Sequence, residues 1–345
     1  QLLYTKKPYP LAWGMNLHLI YKMSITFKYE EVISLKRAIS LIMVIILSAS
    51  LVACGPKGEN SEAFAKEQNL TLKLSHIRPQ GSVADNDIRN FAAEVEKKTN
   101  GTIKFEIYPA SQLGDYTTVL ERVSIGDVDM QIAPIGTNLD KAFGISYCPY
   151  LVQNWDEAKE VYKSGGDLVN NMAAICEKND IKLIGTYPLY FGGIALTKKP
   201  SDPTNVNSKD GIKIRVPNMK AFDLASQELG YLSTPLPAAD TFTAMQTGMV
   251  EGAIGLGAEG YYSNYRDLVK YYLPINDHFE LWYVCISAET WKKMSPSQQE
   301  AITAAAKEME TKRFVEAEKQ EKEYEDKLVE AGVEIINFTD EELSN

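Results

Sequence analysis

The stretch GIKIRVP, residues 211–217, decides how this chain is read. Ile212, Ile214 and Val216 alternate with Lys213 and Arg215, the period-two pattern of a half-buried strand, and Pro217 lacks the amide that would continue a ladder. Arg215 therefore sits near the carboxyl end of a short strand. A guanidinium there presents a rigid two-pronged donor face that matches a carboxylate in geometry as well as charge. The competing account is an arginine that snorkels to the surface or pairs with an aspartate, and from composition alone that account is the commoner. The rest of the chain decides between them.

Upstream, LTLKLSHI (70–77) alternates as a strand. SVADNDIRNFAAEVEKKTNG (82–101) then carries Ile88, Phe91, Ala92 and Val95 at helical spacing before the Gly101 stop. TIKFEIYP (102–109) reads as a strand, YTTVLERVSIG (116–126) as a helix and DVDMQIAP (127–134) as a strand. This order implies right-handed crossovers and a parallel sheet. WDEAKEVYKSGGDLVNNMAAICEKND (155–180) supplies two helices split by Gly165-Gly166, and IKLIGTYPLY (181–190) opens a second strand set. A polar loop (198–210) leads into the opening strand. AFDLASQELG (221–230) and AADTFTAMQTG (238–248) read as amphipathic helices ending at glycines. VEGAIG (250–255) and FELWYVCIS (279–287) return as strands.

Ser295-Pro296 begins a long helix that meets few breakers before Gly332: serine for the orphan amides, proline at the first helical position. Its Glu/Lys-rich run (307–327) has too few large apolar residues for a heptad seam, so one packed helix with a solvated face is expected. The pattern as a whole breaks into two α/β sets that exchange chain more than once. A ligand in such an arrangement lies beyond strand carboxyl ends and between lobes.

The 345 residues, 45% hydrophobic and 24% charged, suit about two domains. A net charge of -10 argues against a nucleic-acid partner, which would require a basic stripe. Residues 1–53 read as leader and signal: Met15 and Met23 are alternative candidate starts, and from Lys36 and Arg37 runs AISLIMVIILSASLVAC, short for a membrane span. Leu51-Val52-Ala53-Cys54 resembles a bacterial lipobox, which implies a diacylglycerol on Cys54, a polar tether over 54–69 and an extracytoplasmic, lipid-anchored protein. A plain signal peptide with an incidental cysteine is the alternative.

Cys148, Cys176 and Cys285 lack CxxC spacing and are expected to be small buried hydrophobes. No phosphate loop, dinucleotide fingerprint or GxSxG elbow occurs, and beyond the leader only His76 and His278 remain as histidines. No cofactor, metal site or catalytic group is expected.

Four segments in order carry a resemblance: YPASQLGDYTTVLERVSIGDVDM (108–130), DGIKIRVPN (210–218), TPLPAADTFTAMQTGMVEG (234–252) and NDHFELWYVCISAETWKKMSPSQQEAI (276–302). Together the chain resembles the substrate-binding proteins of tripartite ATP-independent periplasmic (TRAP) transporters, the dicarboxylate-binding-protein family, over nearly all of residues 70–340. The resemblance implies a two-lobe, periplasmic-binding-protein-like α/β fold with chain crossovers between lobes and a long C-terminal helix. Lobe 1 would take 70–191 plus about 281–345, and lobe 2 about 192–280. It implies a monomer that closes on an organic acid and delivers it to small and large membrane subunits for ion-gradient-driven uptake. Arg215 matches the family's carboxylate-binding arginine, and His76, Gln112, Tyr190, Asn218, Gly255, Glu259 and Trp282 are the other expected ligand contacts.

The chain also departs from the family. Gly192-Gly193-Ile194 stands where a second arginine is often found, Gly255 replaces an asparagine, and Ala133-Pro134-Ile135 replaces a strand end with a glutamate. Arg215 is thus expected to act largely alone. Tyr187, Tyr190, Phe191, Tyr261, Tyr262 and Trp282 cluster at segments that should face the cleft, which suits a monocarboxylate with an apolar, aromatic or sugar-like body. Two alternatives stay open: an extracytoplasmic enzyme using Glu251 or Glu259 with His278, and a ligand-sensing partner of a membrane receptor.

Overall fold

In the computed structural model, which describes residues 67–344 apart from 206 and 209, strand β1 (Leu70–Ser75) turns Leu72 and Leu74 inward and Thr71 and Lys73 outward. That alternation is what its sequence dictates. β1 pairs in parallel with β2 (Ile103–Tyr108), Leu70 opposite Ile103 through Ser75 opposite Tyr108, and with β3 (Met130–Ala133). Between them helix α1 (Val83–Lys98) is capped by the Ser82 side chain and buries Ile88, Phe91, Ala92 and Val95, the residues its spacing singled out. Helix α2 (Tyr116–Ser124) is capped in the same way by Asp115.

Helices α3 (Trp155–Tyr162) and α4 (Asp167–Lys178) lead to β4 (Ile181–Phe191). Gly192 follows, and β5 (Gly193–Leu196) already belongs to a second sheet. That sheet continues with β6 (Lys213–Val216), helix α5 (Lys220–Glu228), β7 (Leu232–Pro235) and helix α6 (Thr241–Gln246). β8 (Gly252–Leu256), helix α7 (Ala258–Tyr265) and β9 (Tyr271–Leu273) complete this run. Residues 274–278 then carry the chain back to β10 (Phe279–Ser287), buried along its whole length in the first sheet.

The first sheet has the order β2-β1-β3-β10-β4. The expected parallel arrangement describes β2, β1 and β3, while β10 runs antiparallel to both β3 and β4 because it re-enters from the other lobe. The second sheet has the order β11-β9-β5-β8-β6-β7, where β11 is Glu334–Ile335. The C-terminal stretch therefore returns to the second sheet, so the span from about 281 onward is shared between lobes.

After helix α8 (Ala288–Lys293), helix α9 (Pro296–Glu330) runs 35 residues, roughly 50 Å at 1.5 Å per residue. Ser295 and Gln298 form a capping box, with Pro296 at the first turn. Ile302, Ala305, Ala306 and Met309 join the core, and a β-carbon on Gly185 of β4 would meet that of Ala306 at 3.0 Å. Glu310 pins the helix to β4 by accepting from the backbone and hydroxyl of Thr186, at 3.3 and 2.8 Å. Cys176 and Cys285 are buried as expected, whereas Cys148 is exposed. The leader, Cys54 and the tether as far as residue 66 lie outside the described residues. No described helix is long and apolar enough to cross a membrane.

Candidate functional site

Between the two sheets lies a narrow cleft whose wall includes Arg78, Tyr147, Tyr190, Arg215, Glu280 and Trp282. β6 delivers Arg215 to it: Ile214 and Val216 fill the core on one face, which turns the arginine to the other. Arg215 is 4% exposed, and its Nε donates to the Leu236 carbonyl at 3.0 Å. Among the described residues its terminal nitrogens have no hydrogen-bond acceptor, and no carboxylate lies within 4.0 Å. An unpaired buried cation costs several kcal/mol, so this side chain favours an anion in the cleft.

A second guanidinium lies opposite. Arg78 leaves the carboxyl end of β1 just before Pro79 and the α1 cap. Its Nη2 donates to the Tyr190 hydroxyl at 2.7 Å and to Glu259 at 3.1 Å, and its guanidinium carbon stands 5.4 Å from the Trp282 ring centre. The Arg78 Nε is buried with no acceptor. The loop bearing Arg78 is held from below: Ala110 N–H donates to the Arg78 carbonyl and Ser111 N–H to that of His76. Ala110 and Ser111 adopt φ of 50° and 58°, so the YPASQLG segment is a tight turn that buttresses the arginine.

Glu280 of β10 also faces the cleft, 4% exposed. Its Oε1 accepts from Trp282 Nε1 at 2.8 Å, and its Oε2 lies 3.3 Å from His278 Nε2, out of line for a hydrogen bond. His278 Nδ1 is 2.8 Å from Asp277. Burial works against the imidazolium, but Asp277 and Glu280 overcome it and push the His278 pKa up to about 10, so the ring is a cation at neutral pH. Of the cations Arg78, His278 and Arg215, the first two each have a carboxylate partner.

Two glycines keep this geometry open. Gly255 has φ +97°, and a β-carbon there would stand 2.8 Å from Pro217 Cγ. A β-carbon on Gly192 would fall 2.1 Å from His278 Cε1. An arginine at 192 is therefore incompatible with His278 where it stands, which gives the missing second arginine a physical reason. The lobes touch across the cleft mouth. Asp115 Oδ2 accepts from Ala238 N at 3.2 Å, and Tyr147 packs on Phe222 with ring centres 5.6 Å apart.

Of the residues singled out by sequence, Arg215, Tyr190, Gly255 and Trp282 line the cleft. Glu259 stands behind the wall, bound to Arg78 and to the Ser263 hydroxyl. His76 is buried below the Arg78 loop with Nε2 3.1 Å from Asp85; burial pushes its pKa down to about 4, so it is neutral. Gln112 and Asn218 are exposed and outside the wall. Tyr187, Phe191, Tyr261 and Tyr262 pack elsewhere: Tyr187 donates to Asp87, Phe191 meets Trp155 and Phe279 edge-to-face, Tyr261 bonds the Gly193 and Ala253 carbonyls, and Tyr262 packs on Tyr324.

Sequence reasoning missed Arg78, Glu280, Tyr147 and Phe222. A signal existed for the first two: Arg78 follows a strand by three residues and precedes a proline, and Glu280 interrupts an otherwise apolar buried run. Glu251, offered as a catalytic base, pairs with Lys198 at 2.8 Å, and neither it nor Glu259 forms an ion pair with His278.

Among the described residues, one buried cation facing the cleft of this two-lobe protein, Arg215, has no carboxylate partner. The model of bacterial extracellular solute-binding protein family 7 matches residues 74–345, and the chain belongs to that family, the binding proteins of TRAP transporters. A solute-binding protein of Roseobacter denitrificans is 27% identical over 266 residues, 76% of this chain and 79% of its own. The sialic acid-binding periplasmic protein of Vibrio cholerae is 25% identical over 257 residues, covering 72% and 77%. In three dimensions a TRAP periplasmic solute-binding protein from Haemophilus influenzae, solved with bound L-gulonate, superposes with a TM-score of 0.73 at 25% identity over 80% of this chain and 90% of that one. These relatives are solute-binding proteins, not enzymes.

Proposed function

We propose that the protein captures a monocarboxylate between its lobes, with the carboxylate on Arg215, and hands it as a monomer to the small and large membrane subunits of a TRAP transporter. The observation that carries this reading is the buried Arg215 fork, turned to the cleft with no protein partner among the described residues. Arg78 corrects the picture of an anchor acting alone, yet its charge is offset by Glu259, which leaves one cation for one carboxylate. Tyr190, Trp282 and Phe222 supply a wall for the carbon body, and Gly255 adds room.

Isothermal titration with a panel of organic acids tests it. We expect Arg215→Ala to weaken the best ligand about a hundredfold or more, because a charge-assisted bidentate pair in a dry cleft is lost. Equal binding by the variant would sink the reading. Extracytoplasmic anchoring follows from the lipobox ending in Cys54: Cys54→Ser should move the protein from the membrane fraction to the soluble one, and unchanged partition would rule the anchor out.

A further inference from the structure

Helix α9 touches both lobes and carries a carboxylate where the chain crosses between them. Arg313 of α9 donates to the Pro188 carbonyl of β4, in the first sheet, at 3.3 Å. About three turns later Tyr324 packs on Tyr262 of α7, which follows β8 of the second sheet, with ring centres 5.7 Å apart. Glu321 lies between these contacts. Its Oε1 accepts from the backbone N–H of Phe191 at 3.0 Å, and its Oε2 accepts from Trp155 Nε1 at 2.8 Å. Phe191 ends β4, and the next residue, Gly192, donates to the His278 carbonyl at 2.8 Å. Both strand crossings between the lobes are thus bonded together beside Glu321.

This carboxylate has no cation of its own. Among the described residues no lysine, arginine or histidine nitrogen lies within 4.0 Å of it. Lys159 of α3 is held by Glu318 at 2.7 Å and Asp156 at 3.8 Å, and Lys322 by Asp326 at 2.9 Å and Glu325 at 3.6 Å. β9 brings Tyr272, a phenol that burial keeps neutral, and α7 brings Glu259, already paired with Arg78. Two effects therefore oppose each other. The two N–H donors favour the ionised form, while burial, with Glu325 and Glu318 on the same helix, favours the neutral one. Burial wins and pushes the Glu321 carboxyl up to about 7.

We propose that Glu321 is a proton-linked hinge residue: closure of the lobes on a solute takes up a proton here, and opening, which parts the carboxylate from Phe191 and Trp155 and admits water, releases it. Binding then tightens as the extracytoplasmic medium acidifies. The window runs from the ordinary carboxylate range up to about 7, and His278 and His76, at about 10 and about 4, titrate outside it. Glu325, half-buried beside Lys322 and also raised by burial, is the neighbour that a variant of Glu321 separates from it.

Calorimetry of the whole protein tests this with lactate, pyruvate, gluconate and benzoate as probes, all of which stay ionised above pH 5.5. The tightest binder should gain about tenfold or more in affinity between pH 8 and pH 5.5. At pH 6 its binding should draw about one proton from buffers of differing ionisation enthalpy. Glu321→Gln, neutral at every pH, should bind at pH 8 as tightly as the wild type does at pH 5.5 and take up no proton. A purely structural role would instead weaken that variant at both. Trp155→Phe removes a donor to the ionised form, so it should move the affinity midpoint to higher pH, and it decides the matter if the glutamine variant does not fold. Binding by the wild type that ignores pH, or proton uptake that persists in Glu321→Gln, overturns the proposal. If no probe binds, small-angle scattering of the unliganded protein reads the same equilibrium: the wild type should become more compact from pH 8 to pH 5.5, and an unchanged radius overturns it.

Discussion

His278 shows how much one side chain settles at this site. Its ring fills the volume that a side chain at Gly192 would need, closes edge-on against Phe222 at 4.8 Å, and balances Glu280 on the cleft wall. Its pKa, about 10 in the folded protein, stands far above the 6.5 of an unfolded histidine. Between those values the folded state holds a proton that the unfolded state has released, so this contribution to stability is complete below pH 6.5 and is lost as pH rises towards 10. His76 has the opposite sign. Depressed to about 4, it favours the fold above pH 6.5 and ceases to as pH falls through 4. Urea unfolding midpoints measured across this range should fall on the alkaline side with a slope of up to about 1.4 kcal/mol per pH unit from His278. His278→Gln should flatten that alkaline limb; a variant that keeps the full slope would show that another group titrates there.

At the scale of elements, sequence patterns were legible wherever one face meets water and the other meets core. Alternation located β1 and β6, and Ser295 marked where α9 begins, because capping and burial depend on residues only a few positions apart. β10 is buried on both faces and has no alternation to read, so periodicity gave no face for its residues and the family resemblance alone pointed to Trp282. Glu280 went unnoticed for that reason. Helix α9 illustrates the same limit: its Glu/Lys run reads as solvated, yet Glu310 within it is 1% exposed and takes four protein hydrogen bonds from Ser164 and Thr186. Those bonds, with Lys307 beside them, hold the Glu310 carboxyl below the usual range despite its burial. Charge in a sequence gives no sign of which charges a distant strand will satisfy.

At the scale of the molecule, the two sheets meet across the cleft through few polar contacts, of which Asp115 to Ala238 N–H is one that a separation of the lobes must break. A contact made in the closed state alone stabilises that state, and the apparent affinity for solute follows its population. Asp115→Ala should therefore weaken binding by roughly fivefold to tenfold, chiefly through faster dissociation, since Asp115 touches the mouth and not the Arg215 anchor. Stopped-flow dissociation rates check this. An unchanged rate would mean that the bridge contributes nothing to closure.

The sequence by itself determined the strand that carries Arg215, the helices with the Ser295 start of the longest, and the two α/β sets with crossings between them. All of these follow from local periodicity and from residues that start or stop an element. Only the tertiary structure decided that Arg78, nearly 140 positions upstream of Arg215, faces the same cleft, that Glu259 offsets its charge, and that Glu280 stands beside it. Those residues come from the loop after β1, from α7 and from β10, on separate passes of the chain through two lobes. Pattern within a segment records which face is buried, but it holds no information about which segments the crossings bring together.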